Sequence, residues 1–499
     1  MPHITGTPRQ QLTLMPESIE DYVDPENPVR FLDAYIDSLD MDKLGFVHAR
    51  PASTGRPAYD PKDLLKLYLY GYLNRIRSSR CLERETIRNL EVIWLLKRLR
   101  PDHWTINEFR KNHGKALRGV FGDFVSLCKG MELFGAELVG IDSSKFTACN
   151  ARDRILDAKG LAKSLQGIAA SIEAWLEQLD QNDTAEQPPA GSSSGELTRQ
   201  QIQDKIASLK AGQQRLEQAR EDLAESGEKT VSLSDPDCRL MKNRGRIEPA
   251  YSIHTAVDAK NHLIVDYQIS SQAADANHLS SMALAAKQVL HQEQTNTDDC
   301  LQVCADAGYY DSVDLKACED QQITAYVPIP KPKVSKKTQV PKPPFYPDHF
   351  LYDGDSDTYR CPQDQVMNYY RTTTKADGRR IRIYRTPACQ SCPFKADCTT
   401  SKRGRYINRW EHQPVIERLA ERLTDNPHMS SLRKTIVEHP FGTLKGAWSY
   451  RSFLLQGKEK VATETALMML AYNLRRALNV AGTAGLIAAI SQPATMPLP

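Results

Sequence analysis

Apolar residues recur at helical spacing through the first part of the chain. Three leucines lie four residues apart: Leu65, Leu69 and Leu73. This spacing places them on one face of a helix, and Asp60 followed by Pro61 indicates where that helix begins. Thr105 with Glu108 three residues later is typical of a capping box at a second helix. This second helix is predicted over 105–117, and two others are predicted over 81–88 and 90–99. The pattern therefore predicts an N-terminal helical domain over residues 1–130.

The pattern changes after residue 137, where short apolar and alternating runs appear. Such runs predict strands over 137–148, 251–258, 262–269, 301–305 and 323–328. Helical periodicity separates the later strands, over 275–292 and 312–321. The order strand, hairpin, helix, strand, helix, strand predicts an α/β fold around a mixed sheet. We place the first part of this core at residues 131–329.

Residues 160–235 interrupt the core with a second helical pattern. Its later half carries apolar residues at spacings of three, four or seven residues, which correspond to one or two helical turns: Ile202, Ile206, Leu209, Leu216 and Leu223. This spacing predicts a helical hairpin inserted into the core. The segment 188–195, Pro-Pro-Ala-Gly-Ser-Ser-Ser-Gly, is typical of the flexible turn between two such helices.

Charge is unevenly distributed along the chain. The 499 residues carry 65 Lys and Arg against 62 Asp and Glu, a formal net charge of +3, which by itself does not indicate a nucleic-acid partner. Residues 50–118 hold 16 basic and 7 acidic side chains and residues 330–409 hold 17 and 7, whereas residues 161–235 hold 7 and 13. The two basic segments suit contact with DNA phosphates, and the acidic insertion is expected to face away from DNA. Solvated basic faces are the alternative interpretation.

Several function classes and compartments are disfavoured by the sequence. The first residues lack a charged start followed by an apolar run, so they do not resemble a secretory signal. The most apolar region, 461–490, contains Glu464, Arg475 and Arg476, which are costly inside a bilayer. Neither a GxxxxGK[ST] loop nor an HExxH helix occurs. We therefore expect a cytoplasmic protein whose cysteines are reduced or metal-bound.

Three carboxylates stand at positions that suit catalysis. Asp142 and Asp306 each end an apolar strand, where a sheet presents side chains at its carboxyl edge. Glu438 lies in a mostly helical stretch and would share a face with Lys445, although Pro440 would kink that helix or start a new one. Three converging carboxylates favour Mg²⁺ or Mn²⁺, and two such ions about 4 Å apart can act on a phosphodiester. Solvated turn acids are the alternative.

A series of short motifs occurs between residues 45 and 480. The series consists of Gly55-Arg56-Pro57-Ala58-Tyr59, Ser78-Ser79-Arg80-Cys81-Leu82-Glu83, Pro101-Asp102-His103-Trp104-Thr105-Ile106 with Phe109-Arg110-Lys111, Asp142-Ser143-Ser144-Lys145, Ala305-Asp306-Ala307-Gly308-Tyr309-Tyr310, and Val437-Glu438-His439-Pro440-Phe441-Gly442 with Lys445. In these motifs and their order the chain resembles bacterial insertion-sequence transposases of the DDE class. The resemblance implies an RNase H-like mixed sheet for the α/β catalytic core.

The resemblance also implies roles for individual residues. Asp142, Asp306 and Glu438 would be the catalytic triad that binds Mg²⁺ or Mn²⁺. Lys445 would correspond to the lysine that contacts DNA near the reacting phosphate. Arg433 would correspond to the arginine that precedes the glutamate, although related groups place that arginine one residue nearer, where this chain has Lys434. Two further acids of the sheet region are interpreted as structural: Asp258 and Asp275.

Four cysteines fall within one basic window: Cys361, Cys389, Cys392 and Cys398. A CxxC pair with two further thiols permits a tetrahedral structural zinc site, and reduced thiols without a metal are the alternative. The transposases that the chain resembles carry a similar Cys-rich insertion before the glutamate helix, which we place at 330–411. The other seven cysteines are expected in the core, among them Cys128, Cys149 and Cys304.

These observations predict a DNA transposase. It would cleave phosphodiester bonds at the ends of an insertion sequence and join the 3′-OH to target DNA by two-metal-ion chemistry. Its partner would be double-stranded DNA, both terminal inverted repeats and target, and pairing two ends suggests at least a homodimer in a nucleoid-associated location. Residues 412–480 would complete the core, and 481–499 would be a loosely ordered tail. Two rivals stay open: an inactive domesticated DNA-binding relative, and a metal-dependent nuclease without strand transfer.

Overall fold

The computed structural model describes residues 18–491 except 52, 55–56, 185–198, 291–299, 332–333 and 335–338. The α-helices are α1 (Pro28–Ser38), α2 (Pro61–Leu73), α3 (Ser79–Arg88), α4 (Leu90–Leu95), α5 (His103–Asn112), α6 (Gly114–Gly130), α7 (Ala158–Thr184), α8 (Arg199–Ser226), α9 (Leu279–Leu290), α10 (Ser312–Asp320), α11 (Lys395–Cys398), α12 (Gln413–Asp425), α13 (Met429–Phe441) and α14 (Lys458–Ser491). Within these residues, no helix is both long enough and apolar enough to cross a membrane.

The strands form a main sheet, a second sheet and one small pair. They are β1 (Leu138–Thr147), β2 (Ile155–Leu156), β3 (Val231–Ser232), β4 (Arg239–Asn243), β5 (Arg246–Asp258), β6 (Ile264–Ser270), β7 (Leu301–Cys304), β8 (Ile323–Tyr326), β9 (Leu351–Asp353), β10 (Thr358–Arg360), β11 (Val366–Thr374), β12 (Arg380–Arg385) and β13 (Ile407–Trp410). The mixed α/β class predicted from the sequence is confirmed.

The main sheet has the order β4-β5-β1-β7-β8, with β6 also paired to β5. β5 runs antiparallel to β1 along nine residue pairs, whereas β7 and β8 run parallel to β1 and to each other. The predicted hairpin is β5 with β6. β4 was not predicted, because its Arg-Leu-Met-Lys-Asn sequence carries little of the apolar alternation that marks a strand.

β1 extends further than its apolar run. The strand predicted over 137–148 is β1, which continues through Thr147 because the residues after its apolar run pair with β5 as far as Ala250. The parallel neighbour β7 pairs only with Leu138–Gly140. Asp142 therefore lies within a strand, just beyond the point where its parallel partner stops.

The N-terminal helices differ from the predicted ones at three points. α1 lies in a segment for which the pattern predicts no helix, the helix predicted over 105–117 is divided at His113 between α5 and α6, and α5 begins before Thr105. Asp60 caps α2 as predicted, since its side chain accepts a hydrogen bond from the Lys62 amide at 2.8 Å. The cap of α5 is Asp102 and not Thr105, because the Asp102 carboxylate accepts the Thr105 amide at 2.7 Å. A carboxylate at this position satisfies an otherwise unpaired amide of the first turn. Thr105 therefore lies inside the helix.

One hydrophobic core joins the N-terminal helices, the main sheet and α14. Its buried members include Phe31 of α1, Val139 of β1 and Leu467 of α14, and α14 packs against α1, α2 and α6. α14 continues to Ser491 across a non-helical residue at Gly482. The expectation of a loosely ordered tail is thus wrong for 481–491, where Leu486 is buried; residues 492–499 lie outside the described part of the chain.

Two further units have small cores of their own. α7 and α8 pack together as the predicted helical hairpin, with a core formed by Leu161, Leu216, Ala219 and Leu223. The predicted turn at 188–195 lies outside the described residues. The second sheet is antiparallel, in the order β13-β12-β11-β10-β9. Its core consists of Phe350, Tyr359, Met367, Tyr384 and Ile407.

Candidate active site

Asp142 is a partly buried carboxylate on β1. Its Oδ1 accepts a hydrogen bond from the Ser143 amide at 2.7 Å, and its Oδ2 accepts one from the Arg433 guanidinium at 2.9 Å. Burial raises the pKa of Asp142, and the charge of Asp306 raises it further, while the Arg433 cation opposes both effects. The pKa of Asp142 is therefore influenced by both the Asp306 carboxylate and the Arg433 cation.

Asp306 stands directly beyond β7, the parallel neighbour of β1. Its Oδ1 accepts a hydrogen bond from the Gly308 amide at 2.8 Å, which caps the single helical turn 307–309. Gly140 of β1 pairs with Cys304 of the parallel strand β7, and Asp142 and Asp306 each follow two residues later, so the two acids stand side by side. The structure therefore brings these two predicted residues together.

Glu438 lies on α13, which packs against β1. The approach is close, because a Cβ built at Gly140 of β1 would lie 2.7 Å from Val437 Cγ1 and 2.9 Å from Ile436 Cγ2. Arg433, on the same helix, crosses to Asp142. Glu438 follows Val437 immediately, but its side chain is exposed. The helix that carries Glu438 is thus fixed at the site, while its carboxylate faces solvent.

Lys445 does not continue the helical face of Glu438. α13 ends at Phe441, one residue after Pro440, and residues 442–447 form a wider π-helical turn. Proline has no amide to donate to the helix, and π-type turns change the angular position of every later side chain. Lys445 is turned toward β1, where its ammonium group donates to the Lys145 carbonyl and lies 4.3 Å from the centre of the Phe146 ring.

Asp275 is a site residue that sequence reasoning set aside as structural. Its Oδ1 accepts hydrogen bonds from Ser143 Oγ at 2.6 Å and Lys145 Nζ at 2.9 Å. A Cβ at Gly308 would lie 2.9 Å from Asp306 Oδ1 and 3.3 Å from Asp275 Oδ2. The only sequence signal was an acid in the loop between β6 and α9. Asp258, in contrast, accepts the amides of Gly135, Ala136 and Lys260 and is structural as expected.

The buried side chain of Tyr309 lies close to all three aspartates of the site. Burial raises the pKa of Tyr309, and the charges of Asp275, Asp142 and Asp306 each raise it further. The Tyr309 hydroxyl lies 2.7 Å from Nδ1 of His254, a histidine whose pKa burial lowers to about 3. Tyr309 and His254 are therefore neutral at physiological pH, and Tyr309 is an uncharged side chain close to the three carboxylates.

The donor atoms of the site suit a hard divalent cation. Carboxylate oxygens are the ligands that Mg²⁺ and Mn²⁺ prefer, and a cation between Asp142 and Asp306 would offset the charge by which Asp306 raises the pKa of Asp142. Among the described residues, no three His, Cys, Asp or Glu side chains are spaced to hold a metal. The site thus fits such an ion in donor chemistry, with Arg433 paired to one of the candidate ligands.

The four window cysteines are neighbours in the second sheet and its loops. Burial raises the pKa of Cys398 to about 11, and the proximity of Cys389, Cys361 and Cys392 contributes. Of the other seven, four are buried as expected: Cys128, Cys238, Cys304 and Cys318. The expectation is wrong for three. Cys81 and Cys149 are half-buried and Cys300 is exposed, because they lie in the first turn of α3, beyond the end of β1 and just before β7.

Two family models match the chain. Residues 17–112 match a transposase domain (DUF772), and residues 360–478 match a transposase DDE domain. The second match contains Glu438, Arg433 and Lys445. Both matched domains are transposase domains, and they support a DDE-type transposase. Residues 113–359, which include Asp142 and Asp306, lie outside both matches.

Comparisons with whole proteins add little to the family matches. Among curated proteins, none matches this chain. Among solved structures, it is similar to a piggyBac transposase in a synaptic complex with hairpin DNA, at 10% identity and a TM-score of 0.25, over 95% of this chain and 87% of that chain. A TM-score this low does not establish a common fold.

Proposed function

We propose that this transposase cleaves phosphodiester bonds at the ends of an insertion sequence and joins the 3′-OH to target DNA. One observation carries the proposal. Asp142 and Asp306 stand side by side on neighbouring parallel strands, and the helix of the matched DDE domain is tied to Asp142 through Arg433. Neighbouring carboxylates of this kind can hold the metal ions that act on a phosphodiester.

We further propose that the core is RNase H-like. The strand order β6-β5-β1-β7-β8, with the first three antiparallel and the last two parallel to β1, supports this assignment. In such a sheet the catalytic acids belong at the carboxyl ends of the central parallel strands. The positions of Asp142 and Asp306 agree with that rule.

Mg²⁺ or Mn²⁺ would be held by Asp142, Asp306 and Glu438. Bound there, the ions would supply activation of the attacking oxygen and stabilisation of the leaving oxygen. The protein's own residues do the positioning: β1 and the segment after β7 hold the two aspartates, and Arg433 offsets the negative charge of Asp142. Lys445, whose ammonium group donates to the Lys145 carbonyl, would contact DNA.

Double-stranded DNA would be gripped by the basic segments. Residues 50–118 fold into the helices α2 to α5 and the start of α6, and residues 330–409 include the second sheet. Exposed aromatic residues lie among the cations of this sheet, and the Arg385 guanidinium stands 3.7 Å from the Tyr370 ring centre. Such surfaces suit phosphate and base contacts. Pairing two DNA ends would require at least a homodimer.

Three substitutions test the catalytic assignment. Asp142→Asn, Asp306→Asn and Glu438→Gln should each reduce Mg²⁺-dependent cleavage of end-containing DNA by about a thousandfold or more, because each removes one anionic ligand while keeping the side chain's shape. Binding of the same DNA should be largely retained. Cleavage is mapped to the nucleotide on a labelled duplex that carries the DNA flanking the reading frame.

Asp320 offers a matched control. It ends α10, is exposed and, among the described residues, forms its ion pair with Lys316 one turn away, so Asp320→Asn should cleave normally. Normal cleavage by a triad variant would remove that residue from the site. If the wild-type protein binds this DNA but does not cleave it, the protein is an inactive DNA-binding relative. If it cleaves the DNA but does not join a pre-nicked 3′-OH end to a target, it is a nuclease.

We also propose one structural zinc, held by Cys361, Cys389, Cys392 and Cys398. Cys389, Cys361 and Cys392 each raise the pKa of Cys398, which supports their proximity. Among the described residues no three of these side chains are spaced to hold a metal, so zinc binding would have to draw the thiols closer together. Four thiolates are a common ligand set for structural zinc, and such sites stabilise units whose hydrophobic core is small. The second sheet has such a core.

A further inference from the structure

A cationic pocket lies at the far end of β1 from the carboxylates. It has a volume of about 380 Å³. Four cationic side chains line it: Arg244, Arg246, Lys445 and Arg451. They come from two separate parts of the chain, the turn between β4 and β5 and the segment after α13. Cations that converge from distant segments are brought together only by the tertiary fold.

The charge of this pocket is only partly offset from within. Glu248 is the single carboxylate in its lining, and its Oε1 accepts hydrogen bonds from Thr147 Oγ1 at 2.8 Å and Asn243 Nδ2 at 2.7 Å. Among the ion pairs of the described residues, none involves any of the four cations. Four positive charges with one carboxylate among them repel one another, and an anion that binds between them would relieve that repulsion.

The turn that supplies two of the cations is built at a conformational cost. Arg244 has a φ of +50° and Gly245 a φ of +82°. A two-residue type I′ turn between antiparallel strands requires a positive φ at both of these positions. Glycine and asparagine adopt that region readily, whereas an arginine does so only at some cost. Arginine at position 244 is therefore poorly explained by the needs of the turn, and its charge is the feature that the pocket uses.

The pocket is connected to the catalytic strand. Thr147, in its lining, lies five residues beyond Asp142 on β1, which corresponds to about 17 Å along an extended strand. B-DNA rises by about 3.4 Å per base pair, so this separation equals about five base pairs. Lys445 closes the inner wall, where its ammonium group is anchored on the Lys145 carbonyl.

We propose that this pocket binds a backbone phosphate of the substrate DNA, a few nucleotides from the bond that is cleaved. The proposal rests on the DNA-cleaving function proposed above and adds Arg244, Arg246 and Arg451 to the residues that hold the DNA. A phosphodiester fits because it carries one negative charge with acceptor oxygens that guanidinium groups bind in pairs. Such a contact fixes the register of the DNA without reading its sequence.

The test replaces the two arginines of the turn without disturbing it. Arg244→Asn with Arg246→Gln removes two positive charges and keeps a residue that favours positive φ at position 244. Affinity for a labelled 30-base-pair duplex should fall by about tenfold at moderate salt, and the slope of log affinity against log salt should drop by about one to two. The thermal midpoint should be unchanged or higher. A second variant, Arg451→Gln, reaches the pocket from its other wall and should lower the slope by about one.

A control with the same loss of charge separates the pocket from net charge. Arg215 and Arg220 are exposed on α8 of the acidic hairpin, so Arg215→Gln with Arg220→Gln should bind DNA as the wild type does. The pocket proposal would be overturned if DNA affinity fell equally in both double variants. It would also be overturned if the turn variant and Arg451→Gln both kept the wild-type affinity and salt slope. In either case DNA cleavage and the proposed function would stand. A wild-type protein that binds no DNA would overturn both.

Discussion

At the scale of single residues, the site is organised by charge pairing. Asp142 is paired with Arg433, and Asp275 is paired with Lys145. The strand-end rule predicted Asp142 and Asp306 as neighbours, because an apolar run followed by an acid is visible in the sequence. Asp275 follows no such rule, since it reaches the site from a loop. Its position became evident only from its contacts with Ser143 and Lys145.

Lys445 makes the pH dependence of DNA binding predictable. Burial lowers the pKa of Lys445 to about 8, the cations Arg244 and Lys145 lower it as well, and Glu248 opposes them. The lysine is therefore about 90% charged at pH 7 and mostly neutral at pH 9. A phosphate binds the charged form of the lysine. Affinity for duplex DNA should therefore be constant below pH 7 and fall as pH rises from 7 through 8 to 9.

Fluorescence anisotropy at fixed ionic strength measures this dependence. Lys445→Arg keeps its charge at every pH in this range, so its affinity should not fall between pH 7 and 9. The same decline in the arginine variant would assign the effect to another group.

At the scale of elements, the decisive contact is that of α13 with β1. The helix lies close to the strand because position 140 has no side chain. From the sequence, Gly140 is an unremarkable member of an apolar run, and no periodicity marks it as the place where a helix crosses. The packing at this point determines where Arg433 and Glu438 stand relative to Asp142.

Gly140→Ala should therefore destabilise the protein. The added methyl group would lie 2.7 Å from Val437 Cγ1 and 2.9 Å from Ile436 Cγ2, and such overpacking costs about 1–3 kcal/mol. The free energy of unfolding from urea denaturation should decrease by that amount, and cleavage should fall because α13 is displaced.

Gly122→Ala on α6 is the matched control. No heavy atom would lie within 4 Å of its added methyl group, and alanine is favoured over glycine within helices by about 1 kcal/mol. This variant should be as stable as the wild type or more so. A neutral Gly140→Ala would mean that α13 and β1 are not in tight contact.

At the scale of the whole molecule, three hydrophobic cores differ greatly in size. The largest joins the N-terminal helices, the main sheet and α14, whereas the α7–α8 hairpin and the second sheet have small cores of their own. Units with small cores depend on other sources of stability. The proposed zinc would provide it for the second sheet.

Cys389→Ser with Cys392→Ser should release about one Zn²⁺ per chain. The second sheet should then become sensitive to proteases, while the large core still unfolds cooperatively at nearly its original temperature. Elemental analysis and limited proteolysis measure the two effects, and Cys300→Ser, at an exposed cysteine outside the window, should change neither. A folded protein purified without metal would refute the zinc site.

The amino-acid sequence by itself determined the order strand, hairpin, helix, strand, helix, strand of the core, the mixed α/β class and the two aspartates that follow apolar runs. These features depend on local periodicity and on chain order, which a sequence records directly. Only the tertiary structure decided which side chains meet: Asp275 beside Asp306, Lys445 turned from Glu438 by a π-helical turn, and Arg244 facing Arg451 across a pocket. Such contacts join residues far apart in the chain, and they depend on packing distances that no local pattern encodes.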